Sequence, residues 1–325
     1  MEGKYFAALD VGGTKIYTVI ANTKLQILAR QQIPTAAAAG PDAVIEQMLL
    51  SLQQTMTEAK IKKENLQAVG VCIAGFYDYK SNVLINSPNL KGWDNIRLAD
   101  ILTFKTGLPV VVENDANAAA LGEVFYGAGL GHSNVIYITV STGIGSGLIL
   151  DNRLYRGEVG IAGEFGHMVI EPEGPLCGCG KRGCLEALAS GTAIAKQAQA
   201  DASAGNSTSL KTLAAQKNLT AKEVFTAAAQ NDQLAQNIIK KAFFYLGIGI
   251  VNIINLLNPS AIVLGGGIIN NTDKTLFQSL QKTIKKRVST AAQTVKIKRA
   301  ILGTEAGVKG MLHLLQEEIS NARFK

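Results

Sequence analysis

Residues 5–20, YFAALDVGGTKIYTVI, place a glycine turn between two short apolar runs, and a later stretch repeats the arrangement. Residues 135–150, VIYITVSTGIGSGLIL, again lead from an apolar run through a turn of small hydroxyl residues and glycines into a second apolar run. Short apolar runs bounded by glycine turns predict β-strands. Two such openings in one chain predict an internal duplication at domain scale rather than a short solenoid repeat.

The glycine turns have the residues that a phosphate site needs. Glycines let backbone N–H groups approach an oxyanion, and Thr14 adds a hydroxyl donor, while Lys15 either adds charge or lies in water. A third turn, Gly265–Gly267, follows the apolar run 261–264 and suits close approach to a flat ring such as adenine. Any one of these turns could also be a tight hairpin that binds no ligand. The spacing of a Walker-type P-loop is absent, so we do not expect a Walker-type NTPase. Together the three turns predict a nucleotide cleft between two domains.

Composition indicates a globular protein with room for two domains. The 325 residues are 47% hydrophobic and 18% charged, and we expect no secretory leader and a cytoplasmic location. The longest apolar run, 242–257, contains Asn252 and Asn255 and predicts a buried helix rather than a membrane span. The net charge is +7. The basic runs 282–287 and 296–299 could contact nucleic acid, but such runs are more often the solvated faces of a helix and of a strand end, which is the interpretation we favour. A modest positive field also suits an anionic substrate.

Residues 164–186, EFGHMVIEPEGPLCGCGKRGCLE, cluster three cysteines after one histidine. His167, Cys177, Cys179 and Cys184 form a complete tetrahedral zinc set with no open position for a catalytic water. Glu164 and Glu186 flank these residues, so the loop is interpreted as a scaffold that holds polar side chains toward a ligand. A disulfide loop or three unrelated buried thiols is the alternative.

Asn114 and Asp115 follow the apolar run 110–113, where a polar pair is costly to bury without a purpose. Asp115 could accept a proton from a substrate hydroxyl, as the base does in kinase-type phosphoryl transfer. It could equally cap the helix that we expect from Ala116. Both roles are compatible.

The chain resembles the ROK family (repressors, open reading frames and sugar kinases), and most closely its bacterial glucokinases. The resemblance covers essentially the whole chain through DVGGTK at 10–15, ENDANAAALGE at 113–123, STGIGSG at 141–147, EFGH at 164–167, CGCGKRGCLE at 177–186 and LGGG at 264–267. It implies an α/β, actin-like and hexokinase-like (ribonuclease H-like) two-domain fold with a nucleotide and sugar cleft between the lobes. We expect a small domain of residues 1–115 plus a C-terminal helix at 303–325, and a large domain of residues 116–302 with the zinc loop.

The resemblance also implies site roles. Asp115 is expected to be the catalytic base, and Asp10 to help place Mg²⁺ with ATP. The expected sugar-binding residues are Gly75, Asn89, Asn114, Asp115, Glu164, His167 and Glu186. The expected nucleotide-binding residues are Asp10, Gly12, Gly13, Thr14, Lys15, Thr142, Gly143, Gly265, Gly266 and Gly267. Zinc is expected to be structural, with one nitrogen of His167 on the metal and the other toward a sugar hydroxyl.

The function predicted from the sequence is ATP-dependent phosphorylation of the 6-hydroxyl of glucose, by a homodimer or homotetramer that binds neither nucleic acid nor membrane. Kinases for N-acetylmannosamine, N-acetylglucosamine or mannose remain alternatives, as does polyphosphate as donor. A ROK-type sugar-responsive regulator is the alternative from another class, but no segment for a helix-turn-helix is expected before Asp10. The phosphate turns lie far from the zinc loop in sequence, so we expect loss of zinc to damage sugar binding before nucleotide binding.

Overall fold

The computed structural model describes residues 4–88, 90–204 and 209–320. Runs of strands and runs of helices follow one another along the chain. The strands are β1 (Tyr5–Val11), β2 (Lys15–Asn22), β3 (Ile27–Pro34), β4 (Leu66–Ile73), β5 (Phe76–Asp78), β6 (Val83–Asn86), β7 (Asp94–Ile96), β8 (Val110–Asn114), β9 (Val135–Val140), β10 (Ile144–Leu150), β11 (Arg153–Leu154), β12 (Ala261–Gly265) and β13 (Lys296–Arg299).

The helices connect and cover these strands. They are α1 (Pro41–Ala59), α2 (Leu98–Thr106), α3 (Asp115–Tyr126), α4 (Leu185–Ala189), α5 (Gly191–Ser203), α6 (Leu210–Gln216), α7 (Ala221–Ala229), α8 (Gln233–Leu257), α9 (Gly267–Asn270), α10 (Lys274–Lys285) and α11 (Ala306–Ser320). Short 3-10 turns lie between several of them, including one at Phe165–His167.

Two five-stranded sheets have the same arrangement of strands. Sheet 1 has the order β3-β2-β1-β4-β8, and sheet 2 has the order β11-β10-β9-β12-β13. In sheet 1 the first three strands in sequence are antiparallel, and β4 and β8 then add in parallel. The matching order of sheet 2 is what the predicted duplication requires. A small third sheet holds β5, β6 and β7.

The chain forms two compact units, each described here by itself. Unit 1 comprises residues 1–137, 147–163 and 300–325, and unit 2 comprises residues 138–146 and 164–299. In unit 1 the strand β4 is buried from Ala68 to Ile73, because α11 covers one face of the sheet and α1 packs on its other strands. A near-continuous apolar strand is typical of this central position.

In unit 2 the helix α8 is the central packing element. It packs against α4, α5, α7 and α10, and it ends at Asn258, which is left-handed and precedes Pro259. Among the described residues, α8 alone is long and apolar enough to cross a membrane by length and composition. Most of its apolar stretch is buried in the protein, as expected of a core helix.

The domain boundaries expected at residues 115 and 303 do not coincide with these units, since α3 packs with α11 inside unit 1. Compact units and folding domains need not share boundaries, so the two-domain division remains a prediction.

Candidate active site

The carboxyl ends of the parallel strands β1, β4 and β8 bring three predicted site residues to one edge of sheet 1. Asp10 lies opposite Cys72, and Ile73 lies opposite Asn114. The amide Nδ2 of Asn114 donates a hydrogen bond to the Gly75 carbonyl at 3.1 Å. Ligands of α/β sheets bind outside this edge, so the strand order supports a site here. Asn89, the remaining predicted sugar residue of this region, lies outside the described residues.

The start of α3 separates the two roles that the sequence left open for Asp115. Asn114 is the N-cap, and its Oδ1 accepts hydrogen bonds from the N–H groups of Ala116 and Asn117 at 2.9 and 3.1 Å. Asp115 also accepts from the Ala116 N–H, at 2.9 Å. Burial raises the pKa of Asp115, and the backbone hydrogen bonds oppose that rise. A half-buried carboxylate with a raised pKa suits proton acceptance.

Asp10 is the second acid of this edge. Burial, the largest cause, and the nearby charge of Asp115 together raise its pKa to about 7, although Lys15 and a hydrogen bond with Cys72 act in the opposite direction. A neighbouring carboxylate that disfavours the ionisation of Asp10 fits a divalent cation, which would offset both charges. This donor set therefore suits the magnesium expected beside the nucleotide.

The turn between β1 and β2 is held by a residue that sequence reasoning missed. Thr35 is fully buried after β3. Its Oγ1 donates to the Gly12 carbonyl at 2.6 Å, and its N–H donates to the Thr14 carbonyl at 3.2 Å. The sequence showed Thr35 only as the start of a small-residue connection. Its pairing with the turn follows from the β2–β3 register.

The second predicted phosphate turn lies in unit 2, between β9 and β10. The N–H of Gly191 donates to the Ser141 carbonyl at 2.8 Å, and the N–H of Thr192 donates to the Thr142 carbonyl at 3.2 Å. The Oγ1 of Thr192 reaches the same Thr142 carbonyl at 2.9 Å. The first residues of α5 thus fix the backbone of this turn.

The third glycine turn lies beside the second. Gly266 has φ +89, and a Cβ on it would lie 2.4 Å from the Val140 carbonyl oxygen, so only glycine fits this approach. A cavity of about 1070 Å³ borders both turns. Its lining includes Thr142, Gly267 and side chains that the sequence did not single out, among them Thr192, Lys196, Gln199 and Phe225. These side chains lie on α5 and α7 and belong to no recognisable motif, so only the packing of the helices shows that they line the cavity.

The cysteine loop brings the four predicted metal ligands together. The ligand atoms of His167, Cys177, Cys179 and Cys184 all lie within 4.8 Å of one another. Cys179 and Cys184 have their sulfurs 3.7 Å apart, and Cys177 Sγ lies 3.8 Å from His167 Nδ1. Tetrahedral zinc with Zn–S bonds of about 2.3 Å needs sulfurs about 3.8 Å apart. The donor set and its spacing therefore fit zinc, and no disulfide joins these cysteines.

Gly183 shapes this loop. Its φ is +71, and a Cβ would lie 1.6 Å from the Glu171 carbonyl oxygen. The loop is closed by hydrogen bonds from the Cys177 N–H to the Lys181 carbonyl at 2.8 Å and from the Gly180 N–H to the Cys177 carbonyl at 3.0 Å. A side chain at Gly183 would force the loop open, so the glycine is required by the fold around the ligands.

The polar residues beside the loop point in two directions. His167 Nε2 lies 3.7 Å from Glu164 Oε2, on the side of the ring away from the cysteines. Glu186 instead accepts a hydrogen bond from the backbone N–H of Ile144 through Oε2, at 2.9 Å. The loop therefore joins the predicted metal ligands to the second predicted phosphate turn, a link that sequence distance concealed.

Comparison with known proteins identifies relatives over nearly the whole chain. The model of the ROK family matches residues 6–318. A glucokinase of Halalkalibacterium halodurans is 35% identical over 98% of this chain and 97% of its own. A xylose repressor of Bacillus subtilis is 33% identical over 94% of this chain and 76% of its own.

Solved structures show the same fold. A ROK hexokinase of Thermus thermophilus has a TM-score of 0.84 at 34% identity, over 98% of this chain and 99% of the other. A ROK glucokinase of Streptomyces griseus, solved with glucose and AMPPNP, has a TM-score of 0.78 at 31% identity, over 95% and 98%. These similarities confirm the predicted actin-like, hexokinase-like α/β fold. With a family match that spans almost every residue, the chain belongs to the ROK family.

Proposed function

We propose that the protein is an ATP-dependent glucokinase that transfers the γ-phosphoryl group of ATP to the 6-hydroxyl of glucose. The observation that carries the proposal is Asp115, a carboxylate with a raised pKa at the first position of α3, on the edge of sheet 1 where α/β proteins bind ligands. Similarity to a glucokinase over almost the full length of both chains supports the same activity.

Asp115 acts as the general base in this proposal. It accepts the proton of the 6-hydroxyl as that oxygen attacks the γ-phosphorus. Phosphoryl transfer depends on positioning and charge neutralisation, so no covalent enzyme intermediate is required. In this proposal the sugar hydroxyls are bound by Gly75, Asn89, Asn114, Glu164, His167 and Glu186.

The nucleotide is assigned to the glycine turns. The turns at Gly12–Lys15 and Thr142–Gly143 offer backbone N–H groups and hydroxyls to phosphates, and Gly265–Gly267 borders the base. The cavity beside Thr142 and Gly267 supports this assignment within unit 2. Asp10 would help to hold the magnesium ion, which supplies charge neutralisation to the phosphates when bound.

Zinc has a structural role in this proposal. His167, Cys177, Cys179 and Cys184 would hold it in a closed set of four ligands, with no position for a reacting water. Its contribution is to fix the loop and the ring of His167. With Nδ1 on the cysteine side, Nε2 is left for the substrate side, next to Glu164.

Related activities define the alternatives. The xylose repressor among the relatives extends beyond the matched region, and a regulatory role would not need Asp115 or a complete set of phosphate turns. N-acetylmannosamine kinases are further relatives.

We assign the protein to the cytoplasm as a homodimer or homotetramer.

A coupled assay over a panel of hexoses, with ATP and Mg²⁺, tests the proposal. Glucose should give the highest kcat/KM, and Asp115→Asn serves as the matched inactive variant. Turnover of an N-acetylated hexosamine above glucose would move the assignment to that sugar. Absence of turnover with every hexose, together with sugar binding by calorimetry, would support the regulator instead.

A further inference from the structure

A buried ion pair involves Glu113, which lies two positions before the predicted base in sequence. The Nε of Arg156 donates to Oε2 of Glu113 at 2.7 Å. The Glu113 side chain is only 4% exposed and that of Arg156 is 22% exposed. A buried ion pair is costly to keep unless its geometry serves a purpose, and the pair belongs to none of the sites described above.

The other oxygen of Glu113 is equally constrained. Oε1 accepts from the backbone N–H of Asn114 at 2.9 Å and from Nδ2 of Asn117 at 2.9 Å. Because a carboxylate only accepts hydrogen bonds, it fixes the Asn117 amide with its nitrogen toward Glu113. The carboxylate thus contacts residues on both sides of Asp115 in sequence, where β8 ends and α3 begins.

Arg156 links Glu113 to a second segment of the chain. Its carbonyl accepts a hydrogen bond from the Ala162 N–H at 3.1 Å, which closes the loop 157–162. Its guanidinium carbon lies 5.7 Å from the ring centre of Tyr79. Glu164, a predicted sugar residue, follows this loop two positions after Ala162.

We propose that the Glu113–Arg156 pair is a positioning device that holds Asp115 and the 157–162 loop in one fixed arrangement for phosphoryl transfer. Neither residue touches substrate in this assignment. The expected effect on kcat rests on the proposed function, whereas the expected effect on the local structure around Asp115 does not. Rigid support of a base matters because small displacements of a catalytic group cost large factors in rate.

Two variants and one matched control test this. Glu113→Gln and Arg156→Met each break the pair with little change in side-chain volume. Glu123→Gln is the control, since Glu123 is also buried on α3 and also accepts backbone hydrogen bonds, from Ile301, Leu302 and Ala128. Those contacts lie at the opposite end of the helix from Asp115.

We expect the two pair variants to lower kcat about tenfold or more while the KM for ATP stays within about twofold of the wild type, whereas Glu123→Gln lowers the Tm and keeps kcat. The double variant Glu113→Gln with Arg156→Met should lose less than the product of the single effects, because neither charge is then left alone. Arg156→Lys, which retains a donor and the charge, should recover part of the rate and remains available if Arg156→Met does not fold.

Amide hydrogen exchange of residues 113–117, measured without substrate, provides a readout independent of activity. Exchange there should rise in both pair variants and stay unchanged in Glu123→Gln. An active wild type whose pair variants keep kcat within twofold would overturn the inference. A wild type inactive on every hexose would overturn the proposed function alone, and unchanged exchange at 113–117 would then overturn the positioning role as well.

Discussion

Glu186 accepts a hydrogen bond from the backbone N–H of Ile144, with 2.9 Å between its Oε2 and that nitrogen. Ile144 begins β10 directly after the turn 141–143, and Glu186 lies two positions after the predicted metal ligand Cys184. Since Glu186 is also assigned to the sugar, one carboxylate touches the turn assigned to nucleotide phosphates and is available to a sugar hydroxyl. Under these proposed assignments, the sugar and the nucleotide phosphates would therefore share the side chain of Glu186.

Glu186→Ala should accordingly weaken the binding of both ligands. A hydrogen bond to a charged group contributes about 1.5–3 kcal/mol, so we expect the Kd of a non-hydrolysable ATP analogue to rise about tenfold and that of glucose to rise as well. Isothermal calorimetry on each ligand separately measures both effects. Glu186→Gln is the matched variant, because its amide oxygen can still accept from Ile144. An unchanged Kd for the ATP analogue in Glu186→Ala would show that the hydrogen bond does not support the turn.

The sequence predicted those parts of the site that a local pattern encodes. The four predicted metal ligands lie in a short stretch with coordination spacing, and the structure brings them together. Asn114 and Asp115 were singled out because a polar pair after an apolar strand is unusual, and their roles remain predictions.

Contacts between distant segments had no such signal. Thr35 holds the first phosphate turn through the register of β2 and β3, and Arg156 reaches Glu113 across the packed unit. Each is a common residue type in an ordinary sequence context. Their roles depend on which strands become neighbours, and that is decided by the burial of whole faces rather than by a motif.

Asp115→Asn should retain the fold and bind glucose, yet lose turnover by a factor of at least roughly 10²–10⁴, the usual contribution of a general base. The amide can still accept the Ala116 N–H bond made by Oδ1, which preserves the helix start. Stopped assays with calorimetry in parallel separate turnover from binding. A variant with half the wild-type kcat and unchanged zinc content would exclude Asp115 as the base.

The rate should also fall at low pH for the same reason. A base works only when it is deprotonated, so activity is present above the pKa of Asp115 and is lost as the pH falls through it. Burial raises that pKa above the ordinary value of 3.8, so kcat/KM should begin to fall at a higher pH than an exposed aspartate would give. A flat profile of kcat/KM down to about pH 4 would contradict this direction.

Asp10→Asn should stabilise the protein in the absence of nucleotide and Mg²⁺, and only at higher pH. Folding raises the pKa of Asp10 from 3.8 to about 7, so its ionisation opposes folding. This cost is absent below about pH 4 and grows until about pH 7. Urea unfolding at pH 5 and pH 8 should show the variant gaining stability over the wild type mainly at pH 8. An equal difference at both values would mean that the effect has another source.

The protein should carry one zinc ion per chain when it is purified without added metal. The spacing of His167, Cys177, Cys179 and Cys184 fits tetrahedral coordination, and a closed set of thiolates and imidazole binds zinc strongly. Elemental analysis gives the stoichiometry directly. A Cys177–Cys184 disulfide in freshly reduced protein, or a chain with no metal, would remove the basis of the assignment.

Cys184→Ser tests how far the influence of the metal loop extends. Sequence distance led us to expect damage to sugar binding before nucleotide binding, because no zinc ligand is predicted in a phosphate turn. Glu186 contacts Ile144, and Gly191 contacts Ser141. These contacts change that expectation, because Glu186 and Gly191 lie in and just after α4, which directly follows Cys184. We now expect the Kd values of glucose and of the ATP analogue to rise together.

The comparison is meaningful only for a folded variant, because a structural zinc can contribute folding free energy outright. Cys184→Ser must therefore melt cooperatively before its affinities are measured by calorimetry. Lys181→Ala is the control, since this exposed residue lies in the same loop and is not among the four predicted ligands; it should keep zinc and both affinities. Loss of glucose affinity alone would restore the expectation from sequence distance. Retention of both affinities in a folded, zinc-free protein would show that the loop supports neither ligand site.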